Sequence, residues 1–297
     1  MAFSIFKRKE DTFDYKSQHL CKNCGSSFQG KFCFRCGEKV VDVADRSFAK
    51  MAESLLNAFT FLEGKFWRSF KLIITQPGQL SHNIRNGIQV PYMKLVGLFF
   101  VANFFYFLFP VFDTFNSSLY SQYYQQVHSP IVQSLVSEHI KANHLDVKEF
   151  TNQYNSHSGN LAKLLLVVLV FIFTLPLSIV NYSKKNFYFD HLQISFEFHS
   201  FQILLGSVIF PNLFKWVIKS ARNWFAFDWS FLLSDKDEFY SYFSIGLFAY
   251  FWIRAQRVFY EHSWWVSILK GLFLGYIVFN TWDIYRMLLF FFTFYTM

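Results

Sequence analysis

Apolar residues along this chain gather into runs of about 20, the length an α-helix needs to cross a hydrocarbon layer roughly 30 Å thick. Such runs cover residues 95–112, 161–180, 191–214 and 239–259, and a fifth starts at 263 and continues for 35 residues. That last region exceeds one crossing and falls short of two. The pattern predicts one spanning helix over 263–283 that continues or breaks near Asp283, giving five spans with the C-terminus outside, or six if the segment is re-entrant. Ahead of the first span the period changes. Phe48, Met51, Ala52, Leu55, Leu56, Phe59 and Leu62 form one helical stripe, and Phe66, Trp67, Phe70, Ile73 and Ile74 form a second, with Lys65, Arg68 and Lys71 interleaved. Cations opposite aromatics predict amphipathic helices over 41–94 lying in a membrane interface, with packing on the protein itself as the alternative. Between the first two spans, residues 113–160 are polar, but Ile131, Leu135, Val136 and Ile140 after Pro130 predict a small helical cap.

Composition and charge sharpen this picture of a membrane all-α protein. The chain is 53% hydrophobic and 23% aromatic, with 43 Phe, more than a soluble core accommodates. Its net charge of +8 is uneven: through residue 94 there are 15 Lys/Arg against 8 Asp/Glu, or +7, whereas 113–160 carry two Lys and four acidic residues. By the positive-inside rule the N-terminal region stays in the cytoplasm and the 113–160 loop is extracytoplasmic. The opening "MAFSIFKRKEDTFDYK" has no apolar core of a cleavable leader, so the first span is expected to direct insertion.

Chemistry is concentrated in two places. After a basic tail over 1–18, residues 19–40 carry Cys21-x-x-Cys24 and Cys33-x-x-Cys36, each pair followed by a glycine, Gly25 and Gly37. Two such knuckles supply a closed tetrahedral Cys₄ shell, which predicts a zinc ribbon with structural Zn²⁺ and no open position for a substrate. Iron or two disulfides are the alternatives, the latter disfavoured in a reducing compartment. Lys22, Lys31, Arg35 and Lys39 could meet phosphates, but a ribbon tethered to a membrane favours docking of a protein partner over nucleic acid. The second place is the third span, where Asp190, His191, Glu197, His199 and Gln202 lie at or inside the membrane boundary. Ser195, His199, Gln202 and Gly206 share one helix face, which ordinarily meets another helix. Glu197 should pair with Arg254 or Arg257, which the predicted topology brings to similar depth. Satisfied contacts between helices are the plainer reading, and a proton, ion or headgroup site the sharper one.

Motifs of hydrolases, zinc proteases and phosphate-binding loops do not occur in the sequence, and no catalytic residue is assigned. Three function classes follow in order: a non-enzymatic docking or assembly protein, acting through a partner or a second copy; a transporter or lipid-handling protein using the polar face of the third span; and a membrane enzyme.

"FCFRCGEK", then "TQPGQLSHNIRNGIQVPYMKL" and later "FDHLQISFEFHSFQILL" resemble a family of uncharacterised bacterial membrane proteins, a domain of unknown function, that joins a zinc ribbon to several spans. The matching positions are Pro77, Gly78, Ile84, Gly87 and Tyr92 before the first span, and His191, Leu192 and His199 in the third. Ile194 and Ser195 depart from the pattern, as does Gln89, where the family often has Arg. The resemblance reaches from about Cys21 to Phe291 and implies a bacterial inner-membrane protein, with no activity to carry over.

Overall fold

A computed structural model describes residues 15–21, 23–37, 40, 64–109, 115–225 and 236–297. The chain divides into two compact units, Met1–Leu62 and Glu63–Met297. The expected amphipathic stripe over 48–62 lies outside the described residues, as do Lys22 and Lys39.

The first unit contains a hairpin of β1 (Gln18–Leu20) and β2 (Ser27–Gln29), antiparallel, with His19 opposite Phe28. The first Cys-x-x-Cys pair is the hairpin loop itself. Cys21 N donates to the Ser26 carbonyl, and the Gly25 and Gly37 amides fold back onto the Cys21 and Cys33 carbonyls, so the two knuckles repeat one geometry.

The second unit is helical: α1 (64–75), α2 (Gln79–Arg85), α3 (Leu95–Leu108), α4 (Leu119–Tyr124), α5 (Ser129–Asn143), α6 (Val147–Val180), α7 (Tyr188–Phe201), α8 (Phe210–Phe225), α9 (Lys236–Val258) and α10 (Trp264–Thr296). A π-helical stretch, Gln202–Ile209, joins α7 to α8 without a break. Among the described residues, three helices are long and apolar enough to cross a membrane: α6, the run Tyr188–Val217 and α10. The 14 residues of α3 make a shorter apolar helix, and α9, with 23, is long enough but too rich in polar residues to join them on composition.

The length of the last helix resolves the sequence puzzle. α10 runs unbroken through Asp283, neither broken nor re-entrant. It lies antiparallel to α6: Lys270 Nζ donates to the Val180 carbonyl at one end, Tyr285 Oη to the Ala162 carbonyl midway, and His157 Nε2 meets Thr296 Oγ1 at the other end. At 1.5 Å per residue both helices extend about 50 Å, so each overruns a ~30 Å hydrocarbon core. The overrun is covered by protein. Phe290 near the end of α10 packs with Tyr154 and Phe150 of α6 and with Leu119, Val132 and Val136 of α4 and α5, forming a second apolar core.

Tyr188–Val217 is the central helix: 78% of its most apolar window is buried by its neighbours, against 33% for α6 and α10. A helix surrounded by protein can carry polar residues that a lipid-facing one cannot. α3 runs alongside it in the same direction, with Phe99 and Phe196 rings 5.4 Å apart. α1 packs along α3, Phe66 against Phe105, and Met93 N donates to Ser69 Oγ, so this stretch of the expected interfacial segment rests on the bundle. Where α9 crosses α10, a Cβ on Gly271 would fall 2.7 Å from the Ile253 backbone nitrogen.

Candidate functional site

The four cysteines converge. Their sulfurs all lie within 4.8 Å of one another, with Cys21–Cys36 at 3.5 Å and Cys24–Cys33 at 3.7 Å. A disulfide would need about 2.05 Å, and none is formed. Thiolates bound at about 2.3 Å to one tetrahedral ion sit roughly 3.8 Å apart, close to the spacing observed. The set can therefore hold a metal ion. Ser26 prepares it: its hydroxyl, 3.1 Å from Cys24 Sγ, and its backbone amide bring the Cys24 thiol down to about 6, easing the deprotonation that a metal ligand requires. Around the cluster, among the described residues, the module buries only Phe28 of its large apolar side chains, while Leu20, Phe32 and Phe34 are 74%, 60% and 81% exposed.

In the central helix each predicted polar residue has a definite place. Asp190 Oδ2 accepts from the Phe187 amide, closing the first turn of α7. His191 Nδ1 lies 2.7 Å from Tyr260 Oη, and the two rings stack. Burial, with the Asp190 charge nearby, raises the Tyr260 hydroxyl well above its ordinary value, so the phenol keeps its proton, and the imidazole tautomer decides which of the two donates. His199 Nδ1 lies 2.8 Å from the Ser195 carbonyl, which can only accept; the proton is therefore on Nδ1, leaving Nε2 as an acceptor. The face expected to meet another helix meets two: Ser195 Oγ donates to the Val170 carbonyl of α6, and a Cβ on Gly206 would touch Leu247 of α9 at 3.3 Å.

Glu197 departs from expectation. It is fully buried, and neither Arg254 nor Arg257 pairs with it; Arg257 donates instead to the His262 carbonyl. Its Oε1 accepts from Gly78 N at 2.7 Å and its Oε2 from Ser81 N at 2.7 Å and from the Ser81 hydroxyl. Amides at the start of a helix have no partner within it and favour a negative group, and here the carboxylate reaches them from α7. Gly78 is required twice, by its φ of 86° and because a Cβ would come within 2.9 Å of Ala255 Cα on α9. Gly78 and Ser81 are the functional partners missed by sequence reasoning; the Pro-Gly break followed by a serine three residues on was the available signal.

Other buried polar atoms are less well served. Gln202 Oε1, Trp252 Nε1 and both amide atoms of Gln256 have no hydrogen-bond partner among the described residues. His199 and Trp252 each lie against the Phe173 ring, at 5.7 and 5.2 Å, which brings part of this set together in one neighbourhood.

A scan against protein-family models gives no match. Comparisons with curated proteins and with solved structures give none either. The resemblance noted above thus rests on its motifs, of which the four-cysteine cluster and the apolar helices are seen in the structure.

Proposed function

We propose that this chain is a five-span bacterial inner-membrane protein whose cytoplasmic Cys₄ module, a zinc ribbon, docks a protein partner or assembles with a second copy. The observation that carries this reading is the exposure of Leu20, Phe32 and Phe34 beside the four-cysteine cluster. A closed shell offers no catalytic position, and aromatic side chains of this size left in water are the usual anchors of a protein interface. Charge supports the orientation. Arg85, Lys94, Lys184 and Lys185 gather at one end of the bundle, where Arg85 Nη1 donates to Asn186 Oδ1 and ties two loops together. With that end inside, α3, α7–α8 and α10 run outward, α6 and α9 return, and the α4–α5 cap is extracytoplasmic.

Cross-linking in cells followed by purification tests it. Phe34→Ala, which leaves all four ligands in place, should lose the cross-linked partner while metal content stays at one per chain. Retention of every partner in Phe34→Ala and in Cys24→Ser alike would end the docking reading. A transport or lipid-handling role for the polar face is the second reading, favoured by the unpartnered atoms of Gln202, Trp252 and Gln256. Ion or lipid flux in vesicles that falls in His199→Ala would support it.

A further inference from the structure

A cavity of about 330 Å³ opens between the start of α3 and the first turns of α7. Its walls are apolar, formed by Ile84, Met93, Leu95, Leu192 and Phe196, while Lys94, Gln89 and Gln193 line it as well. Lys94 is exposed and is the N-cap residue of α3, where its side chain makes no capping bond. The acids at this end are occupied elsewhere: Asp190 closes the first turn of α7, and Glu261 lies 3.8 Å from Arg85. The loops beside the cavity expose Ile88, Val90 and Phe187 and carry Lys184 and Lys185, and Phe189 in the first turn of α7, which lines the cavity, is exposed as well. Exposed apolar and aromatic side chains mixed with lysines are the signature of chain seated at the headgroup level of a bilayer.

We propose that this cavity is a binding site for one anionic phospholipid. An acyl chain fills the apolar pocket, the phosphate sits on the Lys94 ammonium, and the Gln89 and Gln193 amides donate to phosphodiester or ester oxygens. A phosphocholine headgroup would add a cation beside Lys94, Lys184 and Lys185, so the site selects net negative charge. The site lies in the helical unit and is independent of what the cysteine module binds.

Full-length protein, delipidated in mild detergent and titrated with phosphatidylglycerol or phosphatidylcholine, can be read by native mass spectrometry. One phosphatidylglycerol per chain is expected at concentrations where phosphatidylcholine is not retained. Lys94→Glu should weaken retention by roughly fivefold or more, and Leu192→Trp, which fills the cavity, should abolish it. Lys148→Glu, an exposed charge reversal in α6 outside the cavity lining, serves as the control and should leave retention unchanged. If Leu192→Trp fails to fold, the exposed Lys94 position still decides. Equal retention of both lipids, or equal losses in Lys94→Glu and Lys148→Glu, would overturn the site.

Discussion

The cysteine cluster and the Glu197 site solve the same problem, holding charged ligand atoms in a fixed geometry, by opposite means. Cys21 and Cys36 are 15 residues apart, and everything that positions them is a hairpin and two knuckles. Glu197 is 116 residues from Ser81 and 119 from Gly78, and its geometry exists only once the helical unit has assembled. The first arrangement is local and can hold an ion; the second is non-local and depends on packing. They should therefore fail independently, and the sharpest experiments test that separation.

Metal removal is the strongest blow. Structural zinc in small modules is worth about 10–16 kcal/mol of apparent binding energy, which is also folding energy. A chelator, or Cys24→Ser, should open residues 15–40 to protease completely while the melting temperature of the helical unit stays where it was. Next comes Glu197→Leu, which strands two amides and a hydroxyl in the interior. A loss of about 3 kcal/mol or more is expected, read as a lower melting temperature in detergent with metal content unchanged. Coupled loss of both in either variant would erase the distinction. Gly78→Ala should cost about 1–3 kcal/mol through its left-handed backbone, with the 2.9 Å approach to the Ala255 Cα adding to it; because glycine keeps that Cα, Ala255→Gly should leave most of the loss of melting temperature in place.

The smallest effect is a pH dependence. His128 Nε2 lies 2.6 Å from Gln122 Oε1 in the cap, and burial lowers its pKa below the ordinary 6.5. The unfolded chain binds that proton more readily, so the contribution of His128 is complete above its unfolded pKa and is lost as pH falls below it. Cap stability should decline as the pH falls below about 6.5, and His128→Asn should flatten that decline. Neither the metal cluster nor Glu197 is needed for it, so an unchanged slope in His128→Asn would assign the acid sensitivity to another group.

How much of this was legible follows from the same contrast. Cys-x-x-Cys spacing encodes its own geometry, because a turn of four residues leaves few ways to place two sulfurs. Apolar runs gave the positions of the helices, but hydropathy does not distinguish lipid from protein as the covering medium. Hence the 35-residue final region was puzzling: the turns around Phe290 are apolar because α4 and α5 cover them. The partner of Glu197 was misread for a related reason. A buried carboxylate invites a search for a cation, and Arg254 and Arg257 were at plausible depth, but backbone amides carry no mark in the sequence. Only the Pro77-Gly78 break signalled that a helix start would be free to receive a negative group.

The Glu197 contact also has a mechanical side. Within the helical unit, α1 and α2 are fastened at successive points: Phe66 against Phe105 and Ser69 to Met93 N come first, and the grip of Gly78 and Ser81 on a side chain of the central helix follows. A load applied at the start of α1 is therefore shared between the α3 contacts and Glu197 before it reaches the loop that leads into α3.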